Sequence, residues 1–237
     1  MSVEPSPLSF KDLEFEDWGL IDYEKAQEKQ LALLEHVHET QGLGRVVFCT
    51  HPPLVTLGRQ TLESDLCGWT GPIHQSSRGG RATYHGPSQI VIYPIINLHH
   101  PYSRNLKLEV VNFIRFLENL VIQTLDDYGI VALPHSNQSN QPSSHEESLN
   151  FKKNIETGVW VEHSKIASIG ISVKKWITYH GIAINIDQDP EAFHGIKPCG
   201  YESSIMTNLE SLLQRPIDHQ EFKKRFTKKW TQIVFKE

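Results

Sequence analysis

The chain contains no long apolar segment. Within its 237 residues, no run approaches the ~20 consecutive apolar residues that a membrane-spanning helix needs. Its first residues, MSVEPSPLSF, lack the basic region and long apolar core of a signal peptide, and they lack the arginine-rich composition of a mitochondrial presequence. These absences predict a soluble protein of the cytoplasm with no membrane partner.

Cysteine is also scarce. The three cysteines, Cys49, Cys67 and Cys199, are odd in number and show no CxxC spacing, which argues against a disulfide framework or a zinc ribbon. A single cysteine is most often a small buried residue. Packing in a predicted strand explains Cys49, and nothing near Cys67 marks it as reactive, so only Cys199 has a context that favours chemistry.

The sequence lacks the usual nucleotide-binding motifs and any excess of positive charge. Neither GxxxxGK[ST] nor GxGxxG is present. The net charge of −5 argues against nucleic acid as a partner. Basic residues are concentrated in 221–237, with six bases and two acids. This end is either a solvated helix face or a surface for an acidic partner.

What remains describes an ordinary globular chain, 38% hydrophobic and 22% charged. We predict a single α+β domain over 1–237, with a mixed or mostly antiparallel sheet and flanking helices. Residues 1–12 form a loose lead-in. The Ser-, Asn-, Gln- and Pro-rich segment 134–154 is a polar surface insertion, and its His135 and His145 are solvated side chains rather than ligands.

Hydrophobic periodicity assigns the elements. Helices are predicted at 20–39, at 106–129 and from Asp218 onward. The buried face of the first helix includes Gln27 and Leu31, and the second helix ends at Gly129. Extended segments are predicted within 45–59, at 82–84 and at 89–98, where Pro94 implies a bulge or an edge position. The runs 158–163, 165–173 and 176–186 are separated by one or two polar residues, which favours antiparallel neighbours.

These last strands are flanked by a lysine and a cysteine. Lys165 opens one strand between apolar neighbours, and Cys199 lies in a Pro-Cys-Gly turn further along. A cysteine of ordinary pKa, ~8.5, is mostly protonated at neutral pH and needs a nearby cation or base to become a nucleophile. If the strands fold back, Lys165 can supply this, and N–H groups of the turn can receive an oxyanion.

Other partners for Cys199 remain open. His85, His180 and His194 are candidate bases, and with one of them Cys199 forms the pair of a Cys-His hydrolase. A zinc site from these residues lacks paired-ligand spacing. The segment Arg78-Gly-Gly-Arg81 permits unusual backbone shapes and close approach of a ligand, although a plain hairpin turn explains it equally well.

Five segments together carry a family resemblance: HPPLVTLGR, RGGRATYHGPSQIVIYP, GVWVEHSKIASIGI, HGIAINI and the final PCG. In this order, from about residue 45 to 205, they resemble the lipoyl(octanoyl) transferases of the biotin/lipoate protein ligase superfamily. The resemblance implies a biotin/lipoate ligase-like catalytic fold. It also implies transfer of an octanoyl group from acyl carrier protein to a lysine of a lipoyl domain.

The resemblance also assigns residues and partners. Cys199 would be the nucleophile that forms the acyl-thioester, and Lys165 would tune its pKa. Substrate would contact three segments, whose residues are Arg78, Gly79, Gly80, Arg81, Ala82, Thr83, Tyr84, His85, Ser168, Ile169, Gly170, Gly181, Ile182 and Ala183. The acceptors would be lipoyl domains of 2-oxoacid dehydrogenase complexes and glycine cleavage H protein. The donor carries phosphopantetheine, and no ATP, metal or other cofactor would be required.

One residue departs from the pattern. Ser88 stands where the family usually has glycine, so a positive φ there would be strained. The segment 134–154 is also longer than the usual connection. Two rival functions stay open: an ATP-dependent lipoate or biotin ligase of the same fold, and a non-catalytic protein that binds lipoyl domains.

Overall fold

The computed structural model describes residues 13–100, 109–134 and 157–234. Its strands are β1 Leu13–Leu20, β2 Gly44–Thr50, β3 Leu54–Leu57, β4 Ile73–Gln75, β5 Thr83–His85, β6 Gln89–Ile96, β7 Leu133–Pro134, β8 Gly158–Val161, β9 Ser164–Lys174 and β10 Ile177–Asn185. Its α-helices are α1 Tyr23–Thr40, α2 Val110–Asp126, α3 Leu209–Leu213 and α4 His219–Val234.

Seven strands form the main sheet, in the order β1-β2-β6-β10-β9-β8-β7. Within the described part of this sheet, β1 and β2 pair in parallel and the other neighbouring strands pair antiparallel. The predicted α+β class with a mixed, mostly antiparallel sheet is therefore confirmed. The predicted meander is present as β8, β9 and β10, with short turns between successive strands.

Helices cover both faces of this sheet. Along β2, Val46 and Phe48 belong to the core formed with α2 and α4, whereas Val47 and Cys49 belong to the core formed with α1. This alternation follows from the two-residue period of a strand. The predicted C-terminal stop of α2 is also confirmed, because Gly129 has a φ of +76° and the N–H of Ile130 donates to the Leu125 carbonyl.

The predicted buried face of α1 is partly wrong. Leu31 is exposed and Gln27 is only half-buried, whereas Gln30 and Leu33 are buried. Gln30 is a polar residue at a buried position, and its Oε1 accepts a hydrogen bond from the His180 N–H at 2.8 Å. This bond offsets part of the cost of burying the amide, whose Nε2 has no hydrogen-bond partner among the described residues.

The predicted edge position of Pro94 is wrong. Its strand β6 lies between β2 and β10, and Pro94 pairs with Val46 without a bulge on that side. On the β10 side, the regular ladder stops at Ile182. There the Thr178 hydroxyl donates to the Pro94 carbonyl and accepts from the Ile96 N–H. A central proline is possible because a side chain replaces the missing ladder bonds.

A small sheet, β4-β3-β5, lies beside the main one. Its core includes Tyr84, Phe193 and Ile196, so it joins the segment before β6 to the segment before Cys199. The connecting loop rests on β9, where the Ser172 hydroxyl donates to the Ser77 carbonyl at 2.7 Å. This layer brings two of the predicted motifs to one place.

Ser88 does not carry the strain that a positive φ would have caused. Ser88 is not among the described residues with a positive φ. Its hydroxyl donates to Asp189 Oδ2 at 3.0 Å, and the same oxygen accepts from the Tyr84 hydroxyl at 3.2 Å. The serine therefore adds a hydrogen bond between its own segment and the loop after β10.

The basic C-terminal helix α4 begins after Asp218, as predicted, and the Asp218 carboxylate accepts from the N–H of Gln220 at 2.8 Å. Three of its bases form ion pairs: Lys223 with Asp17, Arg225 with Glu221, and Lys229 with Asp127. Among the lysines and arginine of this helix, only Lys224 and Lys228 are exposed. The helix therefore offers little unpaired positive charge to an acidic partner.

Some predictions fall outside the described residues. These are the lead-in 1–12, the first residues of the helix at 106–129, and the insertion 134–154 except Pro134, which lies in β7. His135 and His145 belong to this undescribed part. Among the helices that the structure does describe, none combines the length and apolarity needed to cross a membrane.

Candidate active site

Lys165 and Cys199 meet in the structure. Lys165 Nζ donates a hydrogen bond to Cys199 Sγ at 3.3 Å. The lysine side chain is 1% exposed and that of the cysteine is half-buried. In the described part of the chain, the ammonium forms no ion pair with a carboxylate, so the sulfur is the group that best compensates its charge.

A β-bulge between β8 and β9 orients the Lys165 side chain. Val159 and Trp160 are consecutive in β8, but they pair with Ala167 and Lys165, which are two positions apart in β9. The extra residue shifts the side-chain alternation at this point. The lysine is then fixed by a hydrogen bond from the Thr207 N–H to its carbonyl at 3.0 Å, and its Nζ lies 5.6 Å from the Trp160 ring centre.

Cys199 has a left-handed backbone, with φ 55° and ψ 19°. Its N–H donates to the Ala82 carbonyl at 3.1 Å, and the Gly200 N–H donates to the Lys197 carbonyl at 2.9 Å. The expectation that these amides receive an oxyanion is therefore wrong, because both are already bonded. Their role is to hold the thiol in place.

Arg81 lies directly beside this turn. A Cβ on Gly200 would lie 2.0 Å from Arg81 Nη1, so only glycine leaves room for the guanidinium. Arg81 Nε donates to Asp65 Oδ2 at 3.0 Å, and its Nη2 contacts Oδ1. The Asp65 carbonyl also accepts from the Lys197 N–H at 2.8 Å. Asp65 is fully buried, and its place in a polar segment gave no signal of this role.

Arg78, unlike the partly exposed Arg81, is a buried arginine. Its Nη2 donates to the carbonyl and the hydroxyl of Thr56, both at 2.8 Å, and its Nη1 donates to the Gly79 carbonyl at 3.1 Å. Burial lowers the pKa of Arg78 from its usual value. In the described residues it has no carboxylate partner, so it adds positive potential to the interior near Cys199.

The candidate histidine bases do not form the pair with Cys199. Burial, and next the charge of Arg78, lowers the pKa of His180 to about 3, and its Nε2 lies 3.1 Å from Ser77 Oγ. Burial also holds the pKa of His85 well below its usual value. Both imidazoles are therefore neutral near pH 7. His194 is exposed in the loop before Cys199.

Small residues of β9 and β10 line the cavity at this site. Gly170 pairs with Gly181, and Ser168 pairs with Ala183. A Cβ on Gly170 would lie 3.1 Å from the Gly79 carbonyl oxygen, so the glycine lets the Arg-Gly-Gly loop approach the sheet. Short side chains at these positions leave space between the two layers.

A cavity of about 350 Å³ lies between these elements. It is lined by all the predicted site residues except Ala82 and Tyr84. Those two are buried in the core of the small sheet, and Ala82 acts through its carbonyl on Cys199. The prediction missed residues at the cavity wall; these include Arg59, Gln60, Val110, Ile114 and Arg115. Apolar side chains, the Lys165 ammonium and the Cys199 thiol therefore share one cavity.

The chain is similar in sequence to known proteins over most of its length. The model of the lipoyl protein ligase A/B catalytic domain matches residues 22–231. An octanoyltransferase of Bdellovibrio bacteriovorus is 43% identical over 223 residues, covering 94% of this chain and 99% of that protein. An octanoyltransferase of Pelobacter propionicus is 33% identical over 209 residues, covering 88% and 89%.

Solved structures show the same fold. A putative lipoate protein ligase from T. acidophilum with bound lipoic acid has a TM-score of 0.65 at 13% identity, covering 94% of this chain and 86% of that one. A lipoate-protein ligase A bound with ATP has a TM-score of 0.59 at 12% identity, covering 94% and 84%. At these identities the likeness concerns the fold alone.

Proposed function

The chain belongs to the octanoyltransferases of the lipoyl protein ligase A/B catalytic-domain family, and from this premise we propose that Cys199 and Lys165 carry its reaction through an acyl-thioester intermediate. The activity of the protein is octanoyl transfer in protein lipoylation. The observation that supports the proposed mechanism is the 3.3 Å contact between Lys165 Nζ and Cys199 Sγ inside the cavity.

The first step is acylation of Cys199. The Lys165 ammonium stabilises the thiolate by charge and by its hydrogen bond. The thiolate attacks the thioester carbonyl of the donor and forms a new C–S bond. The bond to the pantetheine sulfur then breaks, and that sulfur takes a proton from the ammonium. Octanoyl-Cys199, a free pantetheine thiol and a neutral Lys165 amine result.

The second step returns the pair to its starting state. The neutral amine of the acceptor lysine attacks the octanoyl-Cys199 carbonyl. One amine proton passes to Lys165, and the C–S bond breaks to release the Cys199 thiolate. The product is an amide, which is more stable than the thioester. The sequence of steps therefore needs neither ATP nor a metal.

The proposed partners follow from this chemistry. The proposed donor is octanoyl-acyl carrier protein, whose pantetheine thioester is the bond broken in the first step. The acceptor is the lysine of a lipoyl domain, as in 2-oxoacid dehydrogenase complexes and glycine cleavage H protein. The octanoyl chain would lie along the small residues of β9 and β10, with Val110 and Ile114 of α2 at the cavity wall.

The test is transfer in the absence of ATP. The protein is mixed with octanoyl-acyl carrier protein alone, and intact mass is measured; we expect one octanoyl adduct that hydroxylamine removes. Addition of apo-lipoyl domain should discharge the adduct and octanoylate the domain. The Cys199→Ala variant should form no labile adduct. Transfer that requires ATP, or a labile adduct on Cys199→Ala, would contradict the proposal.

A further inference from the structure

Glu118 is a buried carboxylate in the middle of α2, outside the groups used in the proposed mechanism. It is 1% exposed, although a charge inside a protein is costly unless it is paired. Its two oxygens have separate partners. Oε2 accepts from Arg115 Nη1 at 2.6 Å, and Oε1 accepts from the Gly158 N–H at 3.1 Å. The carboxylate therefore joins α2 to the first residue of β8.

Gly158 lies against the end of the Lys165 side chain. A Cβ on Gly158 would lie 2.7 Å from Lys165 Cε, 3.3 Å from Nζ and 2.5 Å from the Ala167 carbonyl oxygen. Its φ of +146° also favours glycine. The Gly158 backbone is thus a wall on which the ammonium rests. Any shift of Gly158 changes the space that is available to Nζ.

We propose that Glu118 is a positioning residue for the Lys165–Cys199 pair. By holding the Gly158 N–H, it fixes the wall that keeps Lys165 Nζ within 3.3 Å of Cys199 Sγ. Its other partner, Arg115, lines the cavity, so one carboxylate joins the cavity wall to the reactive pair. The inference rests on the proposed function, in which that pair forms the octanoyl-enzyme.

Two conservative variants separate hydrogen bonding from charge. Glu118→Gln keeps one carbonyl oxygen at the same reach for the Gly158 N–H, but it removes the charge and the second oxygen, which accepts from Arg115. Glu118→Asp keeps the charge but withdraws its oxygens by one methylene. Asn119→Ala, at the exposed neighbouring position of α2, is the matched control. Single-turnover acylation by octanoyl-acyl carrier protein is followed by intact mass from pH 6 to 9.

The positioning role predicts a specific order of acylation rates, with Glu118→Gln faster than Glu118→Asp. Glu118→Asp should slow acylation by about 10- to 100-fold, because small misplacements of reacting groups have effects of this size. It should also raise the pH at which acylation is half-maximal and leave the KM for the donor unchanged. Glu118→Gln should stay within a few-fold of the wild type. If Glu118→Asp is acylated faster than Glu118→Gln, or if both are acylated at equal rates, the inference is overturned.

A double-mutant cycle tests the path through the lysine. In a Lys165→Met background, Glu118→Asp should cause no further loss, because the two changes act on one unit. Equal losses in both backgrounds would show that Glu118 only supports the fold. The wild-type protein separates the two hypotheses. If it forms no labile adduct, the proposed function is contradicted. If it forms the adduct and Glu118→Asp is acylated at the wild-type rate, only the inference about Glu118 is contradicted.

Discussion

Asp65 and Arg81 form an ion pair in which the carboxylate is 0% exposed and the guanidinium packs against Gly200, next to Cys199. Asp65→Asn keeps the shape but removes the charge that orients Arg81. We expect a loss of about 1.5–3 kcal/mol in the free energy of unfolding, the usual value of a hydrogen bond to a charged group. Octanoyl transfer should fall as well, because the turn of Cys199 loses its support.

Chemical denaturation and the ATP-free transfer assay measure these effects. Glu63→Gln is the matched control, since Glu63 is exposed in the same short turn as Asp65. The control should behave as the wild type. Equal stability and activity for Asp65→Asn and Glu63→Gln would show that the ion pair has no such role.

Lys165 should matter for acylation far more than any surface lysine. Lys165→Met fills similar space without an ammonium, so the thiolate loses its cation and the leaving sulfur loses its proton donor. General acid–base assistance is worth about 10²–10⁴-fold, and we expect a loss in this range in single-turnover acylation. Lys174→Met, at the exposed end of the same strand, is the control and should retain activity. A loss below tenfold for Lys165→Met would remove the lysine from the mechanism.

The two glycines after Arg78 should respond differently to alanine. A Cβ on Gly79 meets nothing within 4 Å, and Gly79 lines the cavity. Gly79→Ala should therefore leave stability unchanged but raise the KM for the octanoyl donor. Gly80 has a φ of +80°, so Gly80→Ala should cost about 1–2 kcal/mol of stability. Thermal unfolding and steady-state kinetics of both variants check this, and the reverse pattern would contradict it.

The local sequence marked Lys165 and Cys199 as candidates, and the family resemblance assigned their roles. Lys165 stands at the start of a clear strand, and Cys199 stands between proline and glycine, so alternation and turn chemistry point to both. The fold class followed from the same periodicity. The resemblance also predicted fourteen residues as substrate contacts, and twelve of them line the cavity.

The supporting carboxylates were not predictable in the same way. Asp65 lies in a polar turn and Glu118 on a helix, two settings where acids usually face solvent. Only long-range contacts with Arg81 and Gly158 explain their burial. Strand β1 was missed for a related reason: of its eight residues only Leu13 is buried, so its pattern resembles a loop.

The buried His180 should make stability depend on pH. The folded protein holds its pKa at about 3 because of burial and the charge of Arg78, whereas an unfolded histidine has a pKa of about 6.5. Between these values the unfolded chain binds a proton that the folded chain does not, so stability falls as the pH decreases from 6.5 toward 3. Above pH 6.5 this site has no effect.

His180→Asn isolates that contribution. Asparagine tolerates the left-handed backbone at this position, where φ is 58°. We expect the variant to lose stability less steeply than the wild type between pH 6.5 and 4.5, by about 1.4 kcal/mol per pH unit. The remaining slope comes partly from His85 and His51, whose pKa values burial also lowers. Urea unfolding at three pH values measures the difference. An unchanged slope in His180→Asn would mean that His180 accepts a proton in the folded protein.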